Sequence, residues 1–222
     1  MGIAYNPRIV TDGLVLALDA GNTKSYLGSG ATWTDLSGNG NNGTLVNGVG
    51  YNSNNGGSLS FDGTNDYVSN TSLSININSG ASASYWIKST NPTEYTFILS
   101  NNYSNNSRFY FAQSFDVSGK YRFGLGTSII DTQISILNNQ WQYVSCVVEN
   151  GNYTFYSNGI FSSSGTYVQS ANPVNEYYLG RYFGGTGYDY QGNIAQVSIY
   201  NKALTASEVQ QNFNATRSRY GI

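Results

Sequence analysis

The chain has 222 residues, enough for one large β domain with a substantial core. Charged residues are only 10% and the net charge is −2, so with no basic block an electrostatic nucleic-acid surface is excluded, and no apolar run approaches a membrane span. There is no histidine, which excludes Ser-His-Asp and Cys-His nucleophilic machinery and His-ligated zinc.

The opening residues MGIAYNPRIV lack a secretory pattern, and Asn6 stands where a myristoylation signal needs Ser or Thr. Synthesis in a cytosol is therefore expected. Leu14 to Leu18 read as a first strand, apolar on both faces. Gly- and Asn-rich loops run from Gly21 to Gly57, with Trp33 and Leu36 between them. SLSFDGTNDYVS then suggests strand, Asp/Gly turn and strand. Short strands continue at Ala83–Ile87, Thr96–Leu99 and Arg108–Phe115, the last paired with Tyr121–Gly126. The clearest hairpin joins Tyr143–Val148 to Tyr153–Tyr156 through Asn150-Gly151, both tolerant of positive φ. Asn158-Gly159 repeats the turn before Ile160 and Phe161. Tyr177–Leu179 and Ile194–Tyr200 supply the late strands. Cys146, the only cysteine, reads as a small buried hydrophobe within a strand.

Only one segment reads as helix. Thr205 and Glu208 form a capping box, Leu204 and Val209 occupy the staple positions, and Phe213 follows Val209 by one turn. The twenty tyrosines and the many small polar residues suit strands joined by turns, and also adhesive surfaces. The expected fold is all-β: one domain over 1–222, a two-sheet antiparallel sandwich with a short C-terminal helix.

DLSGNGNNGTL (35–45) imitates two sites. Gly38, Gly40 and Gly43 spell a dinucleotide fingerprint, but TLVNGVG follows where a helix is needed. Asp35, Ser37, Asn39 and Gly40 spell half an EF-hand loop, but Val46 stands where a bidentate Glu belongs. A compact loop closed by its own side-chain-to-backbone hydrogen bonds is favoured. A structural calcium held by Asp35 and Asn39 is the alternative.

LVLALDAGN (14–22), WTDLSGNGNNGTL (33–45), LSFDGTNDYV (59–68), WQYVSCVVENGNYTFYSNG (141–159), YLGR (178–181) and GNIAQVSIYNKALTASEVQQNF (192–213) together resemble the laminin G-like, concanavalin A-like jelly-roll domains. The resemblance spans nearly the whole chain. It is nearest to the stand-alone version in virion structural proteins of tailed phages, marine and cyanobacterial ones among them. It implies two curved antiparallel sheets, with Trp141 filling the core between them and Gly159 closing a hairpin. Many such relatives hold a structural calcium, and their late strand often reads I-D-E-V. Here Ile194-Ala195-Gln196-Val197 has lost both acids, so no cofactor is required on this reading.

The same architecture hosts glucanases that cut with paired carboxylates. Glu94, Glu149, Glu176 and Glu208 are the only glutamates, none with an acid two residues away, so a glycoside hydrolase is disfavoured. Asp62 and Asp66 read as turn residues. A binding surface is expected at Arg181–Gln191 (RYFGGTGYDYQ), with Arg181, Tyr182, Tyr188, Asp189 and Tyr190 as ligand residues, and secondarily at Asn101–Tyr110. The expected role is a non-enzymatic decoration, fibre or tail-associated subunit on the virion surface. Its expected partners are other virion proteins, copies of itself and host-surface glycan. A carbohydrate-binding module of a cellular surface protein is the alternative. Residues 1–12 and 215–222 are candidate docking tails.

Overall fold

The computed structural model describes residues 8–102, 107–114, 119–170, 174–185 and 187–222. The strands in chain order are β1 (Leu14–Asp19), β2 (Thr32–Trp33), β3 (Gly43–Val46), β4 (Gly50–Asn52), β5 (Ser58–Asp62), β6 (Tyr67–Asn70), β7 (Ala81–Ser89) and β8 (Phe97–Ser100). They continue as β9 (Arg108–Gln113), β10 (Lys120–Gly126), β11 (Ser128–Ser135), β12 (Gln142–Glu149), β13 (Asn152–Ser157), β14 (Ile160–Thr166), β15 (Tyr177–Leu179) and β16 (Gln191–Tyr200). Helix α1 (Ala206–Thr216) and a 3-10 turn (Arg217–Tyr220) end the chain.

These strands form two antiparallel sheets. The first runs β14-β13-β12-β7-β16-β5-β4, with β1 also paired to β16. The second runs β11-β10-β9-β8-β15-β6-β3-β2. The sandwich expected from the sequence is the observed fold. β2, β3 and β4 lie in the region read as loops, and β11 in a stretch assigned nothing. Phe115, taken into the β9 segment, lies outside the described residues.

Alternation builds the layers. Along β7, Ala81, Ala83, Tyr85 and Ile87 enter the inter-sheet core, while Trp86 faces out. Along β12, Val144, Cys146 and Val148 point in, and Tyr143 and Val147 point out. An aromatic chain crosses the core: Tyr85 to Phe111 at 4.8 Å between ring centroids, Phe111 to Phe123 at 4.6 Å and Phe123 to Phe155 at 4.8 Å. Offset ring packing of this kind adds to the burial term.

The outer face of the first sheet is covered. Trp86, Tyr143, Val147, Tyr156, Ala195 and Tyr200 form a second cluster with Leu204, Val209, Phe213 and Tyr220. The capping box is present: the Thr205 side chain accepts from the Glu208 N–H, and Glu208 accepts from the Thr205 N–H. Leu204 and Val209 are both buried, as a hydrophobic staple requires. Trp141 belongs to this outer cluster, its ring 4.9 Å from Tyr220. The expectation that it fills the sandwich is corrected, and the indole fully buried between the sheets is Trp33. The parity of β12 explains the change, because Trp141 shares the outward register of Tyr143.

The C-terminal segment is anchored. Tyr220 stacks on Trp86 at 4.0 Å, and Arg219 binds both Asp19 oxygens at 2.8 and 3.0 Å. Val10 is likewise tied down, its N–H donating to Asn212 Oδ1 and its carbonyl accepting from Tyr200. Residues 1–7 of the other candidate tail lie outside the described residues.

Candidate functional site

Among the described residues, no helix lies over the outer face of the second sheet. Strand β9 sends Phe109 and Phe111 into the core and Tyr110 and Ala112 outward. On the outward side Phe97, Tyr110 and Ala112 form a third cluster, with Tyr95 and Tyr182 packed against it. Tyr188 joins at 5.4 Å from Tyr95 and 5.9 Å from Tyr182, both edge-on, and is 44% exposed. Phe183 extends the group beside Tyr182 at 4.7 Å. The result is a platform of half-exposed rings over a buried floor of Phe97 and Tyr110.

Local backbone geometry seats the floor of the platform. A Cβ on Gly124 would lie 2.1 Å from the Tyr110 ring, so only glycine lets that ring rest on β10. The loop from β15 is pinned by backbone bonds: Phe97 N–H to the Tyr188 carbonyl, Gly180 N–H to the Ile98 carbonyl and Tyr190 N–H to the Gly180 carbonyl. Gly180 has φ +86, and a Cβ there would meet Phe61 at 2.4 Å.

One ion pair borders the platform. Arg122 grips Asp131 with two bonds of 2.8 Å, and Ser114 Oγ adds a third at 2.6 Å. The Arg122 hydrogen bonds hold the Asp131 carboxyl below the usual carboxylate range. Arg122 also lies 5.9 Å from the Tyr95 ring centroid. The Tyr95 and Tyr110 hydroxyls bond to each other, one donating and one accepting, and burial pushes both phenols up, so they stay neutral.

The five residues expected to hold ligand separate. Tyr182 and Tyr188 reach the platform, and Arg181 lies beside it with its guanidinium 4.3 Å from the Tyr67 ring centroid. Asp189 is buried; Oδ2 accepts from the Gly187 N–H at 3.0 Å, and Oδ1 has no partner. Tyr190 is fully buried against Phe61, its hydroxyl on Ser89, so it offers no face to a ligand. Placing Tyr190 in the ligand set is corrected: the chain turns back toward the first sheet here, with the Tyr190 N–H on the Gly180 carbonyl and its ring packed on Phe61. Of the second stretch, Tyr110 reaches the platform and residues 103–106 lie outside the described residues. Tyr95, Phe97, Arg122 and Asp131 were missed. Their signal was a strand pair apolar on both faces, which a sandwich with a simply solvated outer face does not require.

The Asp35 loop fits no calcium. Oδ1 of Asp35 accepts from the N–H groups of Ala17 and Ser37 at 2.8 and 2.9 Å. Oδ2 accepts from Ser37 Oγ and the Asn41 N–H at 2.7 and 3.0 Å. Asn39 turns its amide nitrogen inward, to the Leu14 carbonyl and Ser37 Oγ. A cation would meet N–H hydrogens here, so the loop is held by its own hydrogen bonds and the calcium alternative is corrected. Among the described residues, no group of three or more His, Cys, Asp or Glu is placed to hold a metal. The G-x-G-x-x-G glycines lead into β3 rather than a helix.

Residues 62–210 match the family model described as concanavalin A-like lectin/glucanases superfamily. Domain 4 of the extracellular arabinanase AbnA from Geobacillus stearothermophilus, solved with arabinotriose, superposes with a TM-score of 0.69 at 21% identity, over 90% of this chain and 97% of that one. The binding domain of botulinum neurotoxin serotype D gives 0.70 at 16% identity, over 92% of this chain and 52% of that one. A Trypanosoma rangeli sialidase mutant gives 0.71 at 16% identity, over 96% of this chain and 34% of that one. The chain thus spans one whole domain of the first protein and only part of the other two. No curated protein sequence matches the chain.

Proposed function

The chain belongs to the concanavalin A-like lectin/glucanases superfamily, and on that premise we propose that it is a non-enzymatic glycan-binding subunit acting through the open face of its second sheet. One observation carries the reading. The two sheets are treated oppositely: helix α1 and the last 3-10 turn seal the first, while among the described residues no helix lies over the second, where Tyr95, Tyr182 and Phe183 are part-buried and Tyr188 is exposed. Half-exposed rings over a rigid aromatic floor suit stacking against sugar rings, with Arg122, Asp131 and the tyrosine hydroxyls bordering them as polar groups. The arabinotriose bound to the arabinanase domain supports a saccharide as the ligand class.

The four glutamates give no support for cleavage. Glu149 is exposed at the end of β12, and Glu208 caps the helix. Glu176 accepts from the Tyr178 hydroxyl, and Glu94 is exposed between β7 and β8. Paired acids about 5 Å apart, as glycoside cleavage needs, are not found among these four. We further propose that the chain serves on the surface of a tailed-phage particle, as a decoration, fibre or tail-associated subunit. There it would touch other virion proteins and copies of itself and adhere to host glycan. Low charge and abundant tyrosine suit such protein contacts.

A glycan array with the intact chain tests the first part. Binding to a saccharide that Tyr188→Ala and Tyr182→Ala each abolish is expected. Binding that survives both changes sinks the platform as the site. Mass spectrometry of purified particles tests the second part, and its failure would leave the first standing.

A further inference from the structure

We infer that the platform takes an acidic glycan, and that Arg181 is the group that recognises its carboxylate or sulfate. The inference rests on the platform reading above and names its ligand class. Arg181 follows β15 and is rigidly held. Its carbonyl accepts from Ser100 Oγ at 2.8 Å, and the adjacent Gly180 is fixed in a conformation reserved for glycine. Its guanidinium lies over Tyr67, and Nε donates to the Tyr182 carbonyl at 3.2 Å. That bond ties it to the backbone of a platform residue.

What it lacks is a partner for its two Nη groups. Among the described residues, no carboxylate lies within ion-pair reach of Arg181 and no acceptor bonds either Nη. The other cations on this sheet face are committed. Arg122 is taken by Asp131, and Lys120 Nζ by the Gln133 carbonyl and Ser135 Oγ. The acids nearest in the chain and the loop are turned elsewhere. Glu176 accepts from the Tyr178 hydroxyl, Asp66 from the Asp62 N–H and Asp189 from the Gly187 N–H. An arginine stacked on an aromatic ring keeps its in-plane N–H fork for a planar or tetrahedral anion. Pre-organisation by Tyr67 and by the pinned backbone reduces the ordering lost on binding. A half-buried guanidinium beside an aromatic platform, stacked on Tyr67 and with no acceptor on either Nη among the described residues, is placed to take an anion supplied from outside.

The test uses two matched pairs: oligogalacturonate with its methyl ester, and dextran sulfate with dextran. Titration calorimetry on the intact chain is expected to show the charged member of at least one pair bound on the order of tenfold tighter, the size of a charge-assisted contact. The pair that discriminates identifies carboxylate or sulfate. Arg181→Gln should erase that preference with the thermal melt retained, and Arg181→Lys should keep part of it, since charge survives but the fork does not. A preference unchanged in Arg181→Gln, or equal affinities in the wild type, overturns the inference. Preferential binding of the neutral members overturns it while leaving the platform as a saccharide site. Binding of none of the four overturns both.

Discussion

Replacing Gly124 by alanine tests the platform at its floor. The added Cβ would lie 2.1 Å from Cε1, 2.4 Å from Cδ1 and 2.6 Å from Cζ of Tyr110. Ordinary contact begins near 3.4 Å, so the ring must retreat by more than about 1 Å. Phe97, 5.2 Å away, and the hydroxyl bond to Tyr95 oppose the retreat. Overpacking of this kind costs about 1–3 kcal/mol. Gly124 lies outside the left-handed region, so alanine recovers about 0.4–1 kcal/mol by restricting the unfolded chain. The net loss is up to about 2.6 kcal/mol, or a fall of up to roughly 10 °C in Tm for a chain of this size. Urea denaturation followed by tyrosine near-ultraviolet dichroism measures the loss, and saccharide titration reads the displaced ring. A variant as stable as the parent, with unaltered dichroism and affinity, would refute the claim that a flat Tyr110 is built into the surface.

Further outcomes follow from single groups. The Tyr220 hydroxyl is buried without a partner, so Tyr220→Phe should raise stability by about 1 kcal/mol, whereas Tyr220→Ala, which opens the stack on Trp86, should lower it by about 3 kcal/mol or more; equal urea midpoints for the two would contradict this packing. Burial pushes the Cys146 thiol up, so a thiol reagent should label it only in denaturant. Asp131 and Glu208 are held below the usual carboxylate range, by Arg122 in the first case and by the Thr205 N–H in the second. Their stabilisation is complete above the unfolded pKa, and it should fade as pH drops below about 4 and through the lowered folded values. Asp66 runs the other way: desolvation raises it, so its ionised form burdens the fold at neutral pH. Asp66→Asn should gain most there, with the advantage shrinking in acid, as thermal melts across pH would record. Added calcium or a chelator should leave the melting temperature unmoved, since the Asp35 oxygens are filled by four donors; a shift of several degrees would contradict that assignment.

Much of the fold could be read because local chemistry and tertiary role agree. Asn150-Gly151 and Asn158-Gly159 have positive φ at both positions and close the two hairpins. The Thr205 capping box and the Val209/Phe213 face are where the sequence placed them. Residues 43–46 and 50–52 looked like loop because their strands are short and glycine-bearing, held by cross-strand partners such as Val68 and Leu59. The site was half legible. Tyrosines in a glycine-rich loop marked Tyr182 and Tyr188, but no local pattern separates them from Tyr190, which is buried because β16 begins at the next residue. Tyr95, Phe97 and Tyr110 come together through strand pairing, which a single sequence does not display. Asp35 was legible as polar loop chemistry, but its four donors come from Ala17, Ser37 and Asn41, and only the β1 contact decides against a cation.

Both Val10 and Tyr220 are seated on the sealed sheet, the side of the sandwich away from the tyrosine-bearing layer. Cargo fused after Ile222 would therefore emerge behind the molecule, and the tyrosine-bearing side would look outward from whatever scaffold held it. Copies arrayed this way would point the same aromatic surface toward one opposing boundary, turning weak individual contacts into a multivalent grip.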